Sequence, residues 1–319
     1  MRAAVLGALL CALSPLAAAQ SYPSKPVRIV VGFPSGGPTD VVTRVLAQKL
    51  TEAMAQAFVV DNRTGGGGVP GGEFVARSAP DGYTLMMGTL GTLVVNRHLH
   101  ASLPYEPLRD FAPISQAVSN TNFLVLHPSV PARSLKDFLA LARRHSGKLN
   151  YASSGNGSTP HLAGELFKMM AKVEILHVPY RGGAPALNAL LAGEVDISFE
   201  NALVATPHVQ SGKLRALAVT SGKRMAALPD VPTMSEAGLP GYEVTGWYGL
   251  VAPVATSRDI IARLHAQTVK ALRQKDVIEK LAAQGSDAVG NTPTEFATHI
   301  RLEDEKWGKV IKSAKMRLD

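Results

Sequence analysis

Apolar residues along this chain alternate between short continuous runs and longer stretches at helical spacing. Val27-Arg28-Ile29-Val30-Val31 reads as a buried strand, and Val41, Val42, Val45, Leu46 and Leu50 then recur as one face of a helix. Between them lies Gly32-Phe33-Pro34-Ser35-Gly36-Gly37-Pro38-Thr39-Asp40, a Gly-rich turn. Pro38 near the first turn and Asp40, a carboxylate able to bond free amides, mark where the helix starts. The same syntax recurs at Leu149-Asn150-Tyr151-Ala152, which leads into Ser153 to Pro160 and a helical pattern of Leu162, Leu166, Met169 and Met170. It recurs again at Ile175 to Val178, leading into Pro179 to Pro185 and then Leu187, Leu190 and Leu191, and more loosely at Tyr83 to Met87, leading into Gly88 to Thr92.

Strands alternating with helical patterns predict an α/β fold with largely parallel sheets, whose ligands sit outside the carboxyl ends of the strands, where these turns lie. The C-terminal part is helical: Ser257 precedes Ile260, Ile261, Leu264 and Leu272, and Thr292-Pro293-Thr294-Glu295 is a capping box before Phe296, Ile300, Trp307 and Ile311. Two extended apolar segments, Phe123 to Leu126 and Leu214 to Val219, read as crossings between domains. With 319 residues, enough for about two domains at roughly 150 residues each, the expected organisation is one domain at 20–122 and 226–319, with a second inserted at 123–225.

Residues 1–19 stand apart. Arg2, an apolar stretch from Ala3 to Leu16 and Ala17-Ala18-Ala19 read as a secretory leader cut before Gln20. As a membrane anchor the run falls short of the ~20 residues a span needs, and a lipoprotein needs a small residue where Leu10 precedes Cys11. Removal of the leader takes with it the one cysteine, so the mature chain is expected to have no disulfide, thiolate metal site or cysteine nucleophile. The formal charge of +8 drops by one with Arg2 and favours anionic partners. The basic residues are scattered and lack interleaved aromatics, which argues against nucleic acid and for small anions.

A helix N-terminus leaves about four N–H groups unpaired and carries roughly half a positive charge, so a Gly-rich turn entering a helix binds carboxylate or phosphate without Lys or Arg. Enzyme signatures are weaker. There is no G-x-S-x-G elbow, no Lys follows Gly36-Gly37 as in a P-loop, and His98 and His100 lack a third metal ligand. His161 and Asn156 either donate to a ligand or satisfy their own turn. Arg181 either grips a carboxylate or forms an inter-domain salt bridge, and Glu200, after a strand-like run, puts an acid where the cleft should be.

Tyr22-Pro23-Ser24-Lys25-Pro26-Val27, Gly36-Gly37-Pro38-Thr39-Asp40, Ala79-Pro80-Asp81-Gly82-Tyr83 and His177-Val178-Pro179-Tyr180-Arg181-Gly182 resemble the Bug/TctC-type family. So do Leu214 to Thr220 and Leu228 to Thr233. These are extracytoplasmic receptors of tripartite tricarboxylate transporters. The resemblance implies a two-lobed periplasmic binding protein (type 2-like), each lobe a mixed sheet flanked by helices on a two-strand hinge. It would act as a monomer outside the membrane, without cofactor or metal, and pass a small carboxylate (dicarboxylate, amino acid or aromatic acid) to membrane permease components. It also implies a first half-site of Phe33, Gly36, Gly37, Thr39, Asp40, Thr89 and Thr92. The variable half would be Ser153, Ser154, Gly155, Asn156, Thr159, Arg181, Gly182, Glu200 and Asn201. Ser35 stands where the family usually has Pro, and Glu200 where Asp is commoner. Two other functions compete: an exported serine hydrolase using Ser154 or Ser158, and a ligand-sensing partner of a membrane signalling protein.

Overall fold

A computed structural model describes residues 22–225, 228–282, 285–313 and 316; the predicted leader and Cys11 lie outside these residues. The first strand is β1 (Val27–Val31), followed by helix α1 (Pro38–Met54), β2 (Phe58–Asn62), α2 (Val69–Ala76) and β3 (Thr84–Thr89). Short helices α3 (Asn96–Leu99) and α4 (Pro107–Asp110) lead into the long strand β4 (Phe111–Leu126). Then come α5 (Leu135–Arg144), β5 (Asn150–Ser153), α6 (Thr159–Ala171), β6 (Leu176–Pro179), α7 (Gly183–Ala192), β7 (Ile197–Asn201), α8 (Ala202–Gln210) and β8 (Arg215–Val219). The chain finishes with β9 (Thr245–Pro253), α9 (Arg258–Leu272), α10 (Lys275–Ala282), β10 (Ser286–Ala288) and α11 (Pro293–Ser313).

These elements form two mixed sheets joined by β4. In the first lobe β1 pairs in parallel with β2 and β3, β3 pairs antiparallel with β9, and β9 with the first part of β4 from Phe111 to Thr121. In the second lobe the remainder of β4, from Asn122, lies antiparallel to β7 on one side and β8 on the other, and β5 joins β7 and β6 in parallel. The two-lobed α/β expectation is met. The parallel pairs follow right from the repeated strand, turn and helix syntax, because parallel neighbours need a crossover connection.

The β1 run is completely buried apart from Arg28, since both faces of a helix-covered parallel sheet are dry. Ile29, Leu46, Leu50, Leu85 and Met87 pack together between α1 and the first sheet. Each such side chain stabilises the lobe by about 1.5–3 kcal/mol. Phe123, Ala152, Leu187, Leu190 and Val219 form a matching core in the second lobe.

Both C-terminal capping signals are realised. Ser257 accepts from the Ile260 amide at 3.4 Å. Thr292 and Glu295 cap reciprocally, the Thr292 amide donating to Glu295 at 2.8 Å and the Glu295 amide to Thr292 at 3.2 Å.

The apolar segment at Phe123 to Leu126 is the end of a much longer strand. Its first part carries Ser115, Gln116, Ser119, Asn120 and Thr121, which do not read as a strand in sequence. The residues after β8 stay beside it: Met234 donates its amide to Val219 at 2.9 Å, Val244 donates to Thr220 at 2.8 Å, and the Tyr242 hydroxyl donates to Ala163 on α6 at 2.8 Å. Only then does the chain enter β9 and run back along the first part of β4.

Candidate functional site

Helices α1, α6 and α7 point their N-termini at one place between the lobes. Each has Pro in its first turn, at Pro38, Pro160 and Pro185, which supplies helical φ and has no N–H to lose. The caps are Gly37, Ser158 and Gly182, and none closes its helix with a side-chain hydrogen bond. Ser158 instead donates its hydroxyl to the Gly155 carbonyl at 2.6 Å. The amides of the first turns are therefore left to whatever occupies the space in front of them.

That space is a cavity of about 40 Å³ lined by Phe33, Gly37, Thr39, Thr89, Ser154, Thr159, Glu200 and Asn201 from the predicted set. Its volume holds about three waters. Its walls also include Pro34, Pro38, Gly91, Asn122, Ser158 and Tyr248. No Lys, Arg or His lines it, so any positive potential comes from backbone dipoles.

A second chamber of about 310 Å³ shares Phe33, Pro34 and Ser154 with the first. It brings in Gly155, Asn156, Arg181 and Gly182. The predicted residues thus divide between an inner cavity and an outer chamber.

The lobes meet closely around both spaces. A methyl group on Gly182 would stand 2.7 Å from Cδ of Pro34, and one on Gly183 3.1 Å from Cδ of Pro38. Gly182 also has φ of 123°, a conformation only glycine adopts readily. Across the hinge Asn201 donates to Asn120 Oδ1 at 2.8 Å, and Asn122 donates to the Phe199 carbonyl at 2.9 Å. These amide side chains replace apolar packing where β4 passes between the sheets.

Four predicted residues support the walls without lining either space. Asp40 turns its carboxylate back into its own turn, where it accepts from the Gly36 amide at 2.9 Å, Arg44 Nε at 2.8 Å and Asn62 Nδ2 at 2.9 Å. Burial works against its ionisation, but the bonds from Arg44, Gly36 and Asn62 outweigh it and hold the carboxyl below its usual range. Gly36, at φ of 82°, is the turn that this carboxylate ties down. Thr92 accepts from the Thr89 amide at 2.9 Å and returns its own amide to the Thr89 hydroxyl at 3.2 Å, a clasp behind the cavity wall. Ser153 is fully buried and holds the next turn, accepting from the Gly155 amide at 3.2 Å.

Glu200 is the one acid in the wall and is only 1% exposed. Its Oε1 accepts from the Asn201 amide at 3.0 Å, and Ser198 lies 3.5 Å from Oε2. Burial pushes its carboxyl up to about 7, against the smaller pull of those two donors. Tyr248 beside it is likewise held neutral by burial.

A serine and a histidine do come together, at Ser153 Oγ and His177 Nε2, 2.6 Å apart. The arrangement is not a nucleophile and base facing a substrate, because Ser153 has no accessible surface and the His177 ring is stacked on Tyr151 at 4.8 Å and on His161 at 4.2 Å. Burial lowers the His177 pKa to about 3 and that of His161 to about 4, so both rings are neutral packing groups. His161 Nδ1 accepts from the Gly157 amide at 3.1 Å, the local role weighed for it in sequence. His98 bonds to Asp304 at 2.7 Å, and among the described residues no group of His, Cys, Asp and Glu is placed to hold a metal.

Two α/β lobes closed on a small cavity walled by helix N-termini define a solute-binding receptor. The chain belongs to the TctC family: the profile described as tripartite tricarboxylate transporter family receptor matches residues 42–316. Protein BugT of Bordetella pertussis is 38% identical over 301 residues, covering 94% of this chain and 92% of BugT. A protein from R. palustris solved with adipate superposes with a TM-score of 0.91 at 38% identity, over 93% of this chain and 100% of that one. MatC from Rhodopseudomonas palustris, with bound malate, superposes at 0.87 with 34% identity, over 91% and 100% of the two chains. The family is one of receptors, not enzymes, which removes the serine hydrolase reading.

Proposed function

We propose that this receptor captures a small carboxylate in the periplasm and delivers it to the membrane permease of a tripartite transporter. The observation that carries the reading is the convergence of the α1, α6 and α7 N-termini on a small cavity between the lobes with no cationic side chain in its wall. Backbone amides from both lobes neutralise one carboxylate there, helped by the hydroxyls of Thr39, Thr89 and Thr159.

The inner cavity has room for one acid group and its neighbouring carbon, so the rest of the ligand extends into the outer chamber. Arg181 lines that chamber and suits a second carboxylate, which points to a dicarboxylate. Relatives solved with adipate and malate support this class.

Export rests on the leader at 1–19. In this reading the inserted lobe, expected at 123–225, extends to Val244, because 232–244 bond to β8 and α6, and β4 and β9 form the hinge.

Thermal unfolding of the mature protein across a panel of mono- and dicarboxylates tests the proposal. A ligand at 100 times its dissociation constant adds roughly 2.7 kcal/mol of stability. A panel with no shift for any acid refutes it.

A further inference from the structure

Glu200 is an odd neighbour for an anion. It lies on β7 with its side chain in the cavity wall, it is sealed from solvent, and none of the cavity-lining residues is a cation. If both were ionised, Glu200 and a bound carboxylate would face each other in a low-dielectric space, an arrangement that two carboxylates avoid by sharing a proton. Resting on the carboxylate reading above, we propose that this receptor takes up its anionic ligand together with a proton carried on Glu200, so that the closed cleft holds an acid hydrogen-bonded to a carboxylate.

The geometry says which oxygen carries the proton. Oε1 already accepts from the Asn201 amide at 3.0 Å, so the hydroxyl belongs on Oε2, whose hydrogen bond among the described residues is the longer 3.5 Å contact from Ser198. The amide end of α7 lies beside the Glu200 carboxyl, since a methyl on Gly183 would stand 3.6 Å from Oε1, and it favours the single negative charge that an acid hydrogen-bonded to a carboxylate carries.

Other titratable groups on the surrounding elements do not take up this role. Tyr248 on β9 is held protonated by burial, and His161 on α6 and His177 on β6 are held neutral. On α1, Asp40 stays ionised against Arg44. Arg181, ahead of α7, lies in the outer chamber, away from the wall that holds Glu200.

In the ligand-free protein burial already brings Glu200 to about 7; a bound anion raises it further. Affinity is then level below that point and weakens as pH rises above it, by up to about tenfold per pH unit.

Malate and adipate serve as probes, since both are doubly ionised between about pH 6 and 9. Their dissociation constants are measured by titration calorimetry across that range for the mature protein and for Glu200→Gln, with each titration repeated in two buffers of different ionisation enthalpy to count protons. The wild type should bind more weakly at each step above pH 7 and take up close to one proton per ligand at pH 8. Glu200→Gln, with an amide donor in place of the hydroxyl, should lose both the pH dependence and the uptake.

Wild-type affinity that is level across the range, with no proton uptake, overturns the inference and leaves the receptor reading standing. Affinity that improves as pH rises also overturns it, showing that the ligand needs an ionised Glu200, as a ligand ammonium would. If no carboxylate binds at any pH, the receptor reading itself fails and the inference goes with it.

Discussion

Gly183→Ala tests whether the observed contact between lobes is the ligand-holding state. Gly183 is the first residue of α7 in the second lobe, and its added methyl would stand 3.1 Å from Cδ of Pro38 on α1, across the cleft. Ordinary carbon contacts are about 3.5–4.0 Å, so the lobes must part by a few tenths of an ångström. Overpacking of this kind costs about 1–3 kcal/mol. The cost falls only on the closed form, so it appears as a loss of affinity of roughly 5- to 150-fold. Within its own lobe the substitution is benign: Gly183 has no left-handed backbone requirement, and Gly→Ala at such a position stabilises by about 0.4–1 kcal/mol through the unfolded chain. The expected result is therefore a ligand-free melting temperature equal to or above wild type with a clearly weaker dissociation constant, measured by scanning and titration calorimetry on the same preparation. Wild-type affinity in the variant would refute the closed-lobe argument. A ligand-free melting temperature several degrees lower would show that the clash lies inside a lobe.

Asp40→Asn should lower stability by about 2–3 kcal/mol at neutral pH by weakening the bonds from Arg44, Gly36 and Asn62. Because the folded carboxyl is held below its usual range, its contribution is complete above about pH 4 and is lost on acidification below that, so urea midpoints of variant and wild type should converge at low pH. Glu200 has the opposite sign. Its carboxyl is raised from 4.5 to about 7, so the stability of the ligand-free protein is full below about 4.5 and falls as pH rises through 7. Glu200→Gln should be the more stable protein at pH 8 by up to about 3 kcal/mol and equal to wild type near pH 4, as urea titrations at the two pH values will show. The stacked pair His161 and His177 predicts acid lability: folded values near 4 and 3 against 6.5 mean that stability is complete above 6.5 and drains away as pH falls through 4 and 3. His161→Phe, which keeps an aromatic ring in the stack, should make that decline shallower in a pH series of melting temperatures; an unchanged slope would remove His161 from the account.

The turns were readable in sequence because Gly and Pro act on the backbone directly. Pro38, Pro160 and Pro185 announce helix starts whatever surrounds them, and β1 coincides with the apolar run that suggested it. What an N-terminal carboxylate or hydroxyl faces cannot be read in the same way. Asp40 has the right position for a ligand contact and equally for tying down Gly36, and the choice depends on Arg44 and Asn62, the latter 22 residues away. Tyr248 gave no local signal at all, since it reaches the cavity from β9, far from any Gly-rich turn. The first part of β4 is hidden in sequence for a related reason: Gln116, Asn120 and Asn122 are buried polar residues in a strand, each hydrogen-bonded to a partner distant in the chain, at Asn291, Asn201 and Phe199 respectively. Periodicity detects apolar faces and is blind to a strand held by amide side chains.

A single ribbon of sixteen residues is woven into both sheets. Neither half can melt alone without stripping that ribbon from the other, so heat should dismantle the molecule in one step, with calorimetric and van't Hoff enthalpies in agreement. Damage deep in either core, such as Phe123→Ala, then lowers the melting point of the whole molecule instead of producing a half-folded intermediate.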